Sequence, residues 1–285
     1  MLKNYLSIFK LRIGVLIAFS AVVGYIAGEK SMPSLFRIVL ISILTLMASA
    51  GASAINQVYD RDMDRVMKRT MKRPLLTGGV QSPTGVVLTG ILLILLSVGI
   101  AFFKLNFLVS LHLFLGAFVY AVIYTIWLKR RSWMNIIVGG LSGSFAVLAG
   151  GASAQPDFCL APILLAIVMF FWTPSHFWSF AVVHREDYKK ARVPMLPVIF
   201  DNHKSGLYIL LNTVLLFVAS LLPFFLGHLG FIYLAAALGA GAFFIIRNLQ
   251  FLFAPSREIA WKNFKFSMVY LSMLFLAVIF DLSIT

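Results

Sequence analysis

Nine apolar runs, at about residues 12–28, 35–55, 85–103, 107–128, 134–154, 159–181, 206–226, 230–247 and 265–283, constrain this chain more than any other feature. Each is near the ~20 residues that carry a helix across bilayer hydrocarbon. In lipid every backbone polar group has to be satisfied within the protein, so isolated runs of this length fold as helices and no sheet is expected. The chain is 61% hydrophobic and only 12% charged, which excludes a water-soluble globule. The sequence therefore predicts an all-α, polytopic membrane protein of about nine transmembrane helices, in a single domain over residues 1–285.

The charges orient it. With the N-terminus inside, the inner segments hold three basic residues before the first span, six in Arg61–Arg73, three in Lys129–Arg131, five in Arg185–Lys204 and four in Arg247–Lys265. That is 21 of the 24 Lys and Arg; only Lys30, Arg37 and Lys104 fall outside. This bias predicts a cytoplasmic N-terminus and an outer C-terminus. The net charge of +14 is thus a topology signal. No nucleic-acid partner is expected, because no basic face with stacking aromatics lies in a soluble region. One cysteine, Cys159, leaves no intramolecular disulfide and no cysteine metal cluster. The first span is longer than a signal-peptide core, lacks a cleavage site and follows no Arg- and Ser-rich transit segment, so a bacterial cytoplasmic (inner) membrane is the simplest location.

The two longest polar loops, Asp60 to Pro83 and His184 to Lys204, fall on the same side, four spans apart. Each begins with acids at the end of a long helix. That pattern hints at a weak parallel duplication with halves of about 1–130 and 131–285. Gly139, Gly140, Gly143, Gly150 and Gly151 in the fifth span follow no strand, so they read as a close-packing helix face and not as a dinucleotide fingerprint.

The segment from Asn56 to Pro74 carries the chemistry. Acids are scarce, ten in the whole chain, yet Asp60, Asp62 and Asp64 fall within five residues. Asn56, Asp60 and Asp64 recur every four residues and so line one helix face. Oxygen donors at that spacing suit a hard divalent cation such as Mg²⁺, shared with substrate phosphates. The plainer alternative is a solvated helix end. Asp62 points elsewhere and reads as a salt-bridge partner. Lys68, Arg69, Lys72 and Arg73 follow, and guanidinium groups suit phosphate oxygens, although positive-inside loops collect arginine for topology as well. Pro74 is expected to end the helix and hold these cations near its end. A metal site beside an anion site at a membrane surface points to a diphosphate with an apolar tail and places the active site on the cytoplasmic side.

A second constellation runs from Thr173 to Tyr188. His176 lies in or near the inner end of a span, where an ionisable side chain is a functional candidate; the alternative is a histidine hydrogen-bonded to a neighbouring helix. His176, Phe180 and His184 share a face. Glu186 and Asp187 are placed to complete a metal site opposite Asp60 and Asp64. Pro194-Met195-Leu196-Pro197 closes the loop as a rigid turn. Lys129, Arg130 and Arg131 serve topology, with Lys129 in reach of a diphosphate. Cys159 and His112 are assigned no chemistry.

These segments resemble the intramembrane prenyltransferase (UbiA) superfamily. The resemblance rests on Asn56-x-x-x-Asp60-x-x-x-Asp64, on Arg69-Thr70-Met71-Lys72-Arg73-Pro74-Leu75, and on Tyr124 to Arg131 with Asn135 and Gly139-Gly140. It continues in Thr173 to Trp178, in Asp187-Tyr188 with Pro194 to Pro197, and in Phe266-Ser267 with Tyr270-Leu271, so it covers nearly the whole chain. The His-Phe-Trp and Pro-Met-Leu-Pro segments are similar to haem-type members and separate them from quinone-type relatives. In three respects the chain departs from the pattern. His184 and Tyr188 bracket the acids where the wider family has a further aspartate. Prolines usual near Lys10–Arg12 and after Gly143 are absent. The glycine usual before Pro-Met-Leu-Pro is replaced around Ala191-Arg192.

The resemblance implies transfer of the farnesyl group of farnesyl diphosphate to the vinyl group of haem B, with addition of water, giving haem O and diphosphate. It implies Mg²⁺ held by Asn56, Asp60, Asp64 and Asp187, and a leaving group neutralised by Arg69, Arg73 and Lys129. The catalytic set is then Asp60, Asp64, Arg69, Arg73 and His176. His176 would sit at the porphyrin, as an iron ligand or a hydrogen-bond partner, with Trp178 and Tyr188 also contacting substrate. The farnesyl tail would lie between helices, open to membrane lipid, and the downstream haem A synthase is a candidate partner. Two other readings compete: a prenyltransferase for an aromatic acid or quinone precursor, and a secondary transporter. A transporter should place its polar groups near the bilayer midplane, whereas these acids gather at one face.

Overall fold

Apolar runs in this chain fold as the helices their length requires. The computed structural model describes residues 2–29, 32–80, 82–155, 157 and 159–284, with side chains for all but Leu2, Lys3 and Tyr5. Lys30, counted above on the outer side, lies outside these residues, as does the side chain of Lys3. A short α1 (Leu2–Ile8) precedes α2 (Leu11–Gly28) and α3 (Leu35–Tyr59), followed by a six-residue α4 (Arg61–Val66). Then come α5 (Pro83–Lys104), α6 (Phe107–Phe118) with a π-helical continuation Val119–Leu128, α7 (Asn135–Ala154) and α8 (Leu160–Val183). Two short helices, α9 (Arg185–Lys190) and α10 (Leu196–Ile199), lead to α11 (Asn202–Phe225), α12 (Phe231–Phe253) and α13 (Arg257–Ile284). Among the described residues nine helices are long and apolar enough to cross a membrane, and no strand occurs.

The largest boundary differences from the sequence reading are at the end. Helices α12 and α13 run past the apolar stretches 230–247 and 265–283, because Arg247 and Asn263 hold each other across the pair. Arg247 Nε donates to Asn263 Oδ1 at 3.2 Å, and Asn263 Nδ2 donates to the Arg247 carbonyl at 3.1 Å.

One expectation is corrected. The helix that carries Asn56 does not continue to Pro74. It breaks at Asp60 (φ −84°, ψ 2°), resumes as α4 and ends at Met67, which is extended (φ −92°, ψ 122°). On a continuous helix the nine steps from Asp64 to Arg73 would span about 13 Å, too far for contact. The chain instead folds back: Thr70 Oγ1 donates to the Asp64 carbonyl at 3.2 Å, and the Arg73 amide donates to the Thr70 carbonyl at 3.0 Å. The i to i+4 relation of the acids survives the break, since the Asp60 amide bonds the Asn56 carbonyl at 3.0 Å and the Asp64 amide bonds the Asp60 carbonyl at 2.8 Å.

The second polar loop is built in the same manner. Helix α8 breaks at His184 (φ −109°, ψ 24°) and resumes as the six-residue α9. Arg192 then takes φ 54°, a left-handed conformation that glycine adopts without strain.

Helix α3 packs on α5, α2 lies between α3 and α7, and α8 is flanked by α7, α11 and α13. Helices α2 and α7 meet backbone to backbone: a Cβ on Gly24 would meet the Val147 carbonyl, and one on Gly150 the Ala21 carbonyl. Pro174 lies within α8, two residues before His176. The Phe171 carbonyl accepts from Asn212 Nδ2 at 2.6 Å, which ties α8 to α11 beside that proline. In the π-helical stretch Thr125 Oγ1 donates to the Tyr120 carbonyl at 2.8 Å, and the Lys129 amide to the Tyr124 carbonyl at 2.8 Å. Such widened turns gather at functional sites, and this one adjoins the cavity described next.

Candidate active site

A cavity of about 520 Å³ is enclosed by α2, α3, α4, the α6 π-segment, α7, α8 and α13. One end is polar, lined by Lys10, Asn56, Asp60, Asp64, Arg69, Arg73 and Lys129; the remainder is apolar and aromatic, with His176 in its wall.

The polar end is built on α3. Asn56 is buried; its Nδ2 donates to Asp60 Oδ2 at 2.8 Å and to Thr125 Oγ1 at 3.0 Å, and its Oδ1 accepts from Lys10 Nζ at 2.7 Å. Asp60 Oδ2 also pairs with Lys129 Nζ, and Asp64 Oδ2 pairs with Arg73 Nη1. Asp60 Oδ1 is buried and has no hydrogen-bond partner among the described residues. Arg69 lies over the Phe180 ring, 5.1 Å from its centroid.

Lys10 is central here. It joins α1 to α2 in a left-handed conformation (φ 48°, ψ 45°) and also reaches Tyr120 Oη at 3.3 Å. Burial, then the charges of Arg73 and Lys129, push its pKa down to about 7, while Asp60 and Asp64 act in the opposite sense. Arg69, Arg73 and Lys129, with a Lys10 whose charged form burial disfavours, face two carboxylates, a balance that suits a multiply charged anion. Lys10 carried no sequence signal of this role, because its partner Asn56 is 46 residues away.

The donor set at this end fits a hard divalent ion. Two carboxylates line this end, and the unpartnered Asp60 Oδ1 supplies a ready oxygen ligand, while the Asn56 oxygen is taken by Lys10. Among the described residues no group of three or more His, Cys, Asp or Glu is placed to hold a metal by itself. The fit is therefore to an ion held by one or two carboxylates and completed by substrate phosphate oxygens, the common arrangement for Mg²⁺.

Asp187 is not among the residues lining the cavity. Its Oδ1 accepts from the Lys68 amide at 3.3 Å, and its Oδ2 lies 3.9 Å from His184 Nδ1. Glu186 is exposed. Burial, then the Arg69 charge, lowers the pKa of His184. Asp62 forms a two-pronged pair with Arg130, both contacts 2.7 Å, on the outside of the loop.

The other wall comes from α8 and α13. The His176 ring stacks on Trp172 at 4.2 Å and lies 4.6 Å from Phe264; its Nδ1 is 2.7 Å from Ser267 Oγ. Tyr188 is buried and lines the cavity. Trp178, expected to contact substrate, does not line it. Two residues from His176 is about 200° around a helix, and Trp178 packs instead with Met63, Met67, Tyr188 and Met195. Tyr120, Thr125 and Ser267 are further residues that spacing did not reveal, being brought in from other helices, whereas Trp172, four residues before His176 on α8, was within reach of helical spacing.

The UbiA prenyltransferase family profile matches residues 17–276. The chain is 44% identical over 279 residues to protoheme IX farnesyltransferase 1 of Paramagnetospirillum magneticum, covering 98% of each chain. It is 42% identical over 284 residues to protoheme IX farnesyltransferase 2 of the same organism, covering 98% of this chain and 97% of that one. It is 37% identical over 280 residues to protoheme IX farnesyltransferase of Desulforudis audaxviator, covering 98% and 88%. Its fold is similar to that of a digeranylgeranylglyceryl phosphate synthase (TM-score 0.84, 20% identity, 100% and 99% covered). It is also similar to a UbiA homologue of Archaeoglobus fulgidus bound to DMAPP and Mg²⁺ (TM-score 0.71, 20% identity, 96% and 99% covered).

Proposed function

We propose that this chain, which belongs to the UbiA prenyltransferase family, transfers the farnesyl group of farnesyl diphosphate to a vinyl group of haem B, with addition of water, giving haem O and diphosphate. The observation that carries the reading is one cavity that brings buried acids and cations together with a histidine set among aromatic rings. Near-full-length relatives named for this acceptor support it.

The polar end would bind the diphosphate. Arg69, Arg73, Lys129 and Lys10 neutralise charge as the allylic carbon–oxygen bond breaks, the kind of preorganised stabilisation that is often the largest catalytic contribution. Asp60 and Asp64, with Asn56 orienting Asp60, would hold Mg²⁺, which supplies further charge neutralisation on the phosphate oxygens. Asp187, through the Lys68 amide, orders the segment that carries Arg69 and Arg73. The farnesyl tail takes the apolar part of the cavity, among Leu16, Phe19, Leu113 and Phe275. Tyr120 and Tyr124 stack at 5.7 Å beside the acids; their faces favour an allylic cation and help to exclude water until the vinyl carbon attacks. His176 and Tyr188 face the porphyrin.

The charge bias supports a cytoplasmic active site in a bacterial inner membrane. An apolar haem product also favours hand-over within the bilayer to a haem A synthase. The acids gather at one end of the bundle, beside cations, which fits chemistry on a phosphate better than carriage across the membrane.

The test is to incubate membranes containing the protein with haem B, farnesyl diphosphate and Mg²⁺, and to analyse extracted haems by chromatography and mass spectrometry. The expected product is heavier by one farnesyl group and one water. Unmodified haem alongside a prenylated quinone precursor would move the acceptor assignment, and no prenylated acceptor with transport of a solute would overturn the enzyme reading.

A further inference from the structure

Ser267 sits on α13 with no exposed surface. Its Oγ is 2.7 Å from His176 Nδ1 and donates to the Phe264 carbonyl at 2.6 Å. A hydroxyl has one proton to give. With that proton on the Phe264 carbonyl, Ser267 Oγ accepts from His176, and Nδ1 carries the hydrogen. The imidazole is therefore the Nδ1–H tautomer, and Nε2 is a bare lone pair. Trp172 Nε1 donates to the Ser267 carbonyl at 2.6 Å, so the backbone of α13 at this residue is tied to α8. The same Trp172 stacks on the imidazole and limits its rotation. Among the described residues Nε2 has no hydrogen-bond partner, and the side chain lines the cavity.

We propose that Ser267 is a positioning residue that locks His176 with its Nε2 lone pair toward the cavity, as an axial ligand for the iron of the porphyrin acceptor. The inference rests on the haem reading above and decides between the two roles open to His176. A bare Nε2 cannot donate a hydrogen bond to a propionate or any other acceptor, whereas a neutral imidazole whose other nitrogen donates to a fixed oxygen is the usual form of a metal-bound histidine.

The experiment uses the full chain in lipid nanodiscs with haem B, read by absorption and by the iron–histidine stretch in resonance Raman of the ferrous form. The variants are His176→Gln, Ser267→Ala and Ser267→Thr. Calorimetric binding of farnesyl diphosphate with Mg²⁺ reports the integrity of the rest of the site. The expected result is an iron–histidine band in the parent, lost in His176→Gln. Ser267→Ala should shift the band to lower frequency and weaken haem binding roughly ten-fold, with farnesyl diphosphate binding unchanged; Ser267→Thr should restore both. A parent-like band and affinity in Ser267→Ala overturns the proposal. So does loss of farnesyl diphosphate binding in that variant, which would assign Ser267 to packing alone. A parent without the band also overturns it, and the haem product then separates the two readings. Product formed leaves the reaction standing without iron ligation by His176; no product removes the haem acceptor as well.

Discussion

Asp60 shows how much one side chain carries in this site. Its Oδ2 is shared by Asn56 and Lys129, while its Oδ1 is left buried without a partner among the described residues. An alanine there would strand a buried lysine, and breaking a buried pair costs about 3–5 kcal/mol. The near-isosteric Asp64→Asn is thus the cleaner probe of the acid pair. It should lower turnover by about 10²–10³, the usual effect of removing one preorganised charge contact, and lower the melting temperature as well, because Asp64 Oδ2 pairs with Arg73. Mg²⁺-dependent turnover at the parent rate would take Asp64 out of the diphosphate site. Arg73→Lys keeps the charge but loses the planar fork; the expected outcome is a several-fold weaker farnesyl diphosphate affinity by calorimetry, and an unchanged affinity would leave Arg73 a topological charge. Arg192, at φ 54°, is a different kind of position. The left-handed conformation costs a side-chain-bearing residue roughly 1–2 kcal/mol, so Arg192→Gly should raise the melting temperature without touching the cavity. A lower melting temperature would show that the guanidinium makes up for the strain.

Among the elements, α2 and α7 carry the tightest requirement. Gly24 and Gly150 are the contact surface, each against a carbonyl of the other helix. Gly150→Val should force the helices apart at a cost of roughly 1–3 kcal/mol or more, read as a lower melting temperature and reduced turnover, since both helices line the cavity. Gly99 on α5 meets nothing within 4 Å, and Gly99→Ala should be neutral or stabilising by up to about 1 kcal/mol. Equal behaviour of the two variants would contradict the close approach. The glycine-rich face of α7 was legible in the sequence as a packing surface. The break of α3 at Asp60 was not, because four-residue spacing of acids is the same with or without it. The turn-back after Met67 that brings Arg73 to Asp64 is likewise a contact that local periodicity does not encode.

At the scale of the whole molecule the two ends of the bundle use charge differently. Opposite the cavity, Arg37 donates to the Ser153 carbonyl at 3.1 Å, and Asp281 accepts from the amides of Gly230, Ile232 and Tyr233, so these charges close helix ends. At the cavity end the cations outnumber the acids and converge on a hollow. Reporter fusions are expected to read the loop after α8 as cytoplasmic and the end of α13 as external, in keeping with the 21 of 24 basic residues assigned inside; the reverse pattern would place the site on the outer face. The sequence by itself determined the helical class, the number of spans and the acid face of Asn56, Asp60 and Asp64. Those depend on run length against bilayer thickness and on helical pitch, which are local quantities. Only the tertiary structure decided that Lys10 meets Asn56 across 46 residues, Lys129 meets Asp60 across 69 and Ser267 meets His176 across 91. It likewise turned Trp178 into the core. Such contacts follow from which helices pack together and how far each is rotated about its axis, and those are settled by side-chain fit between segments distant in the chain.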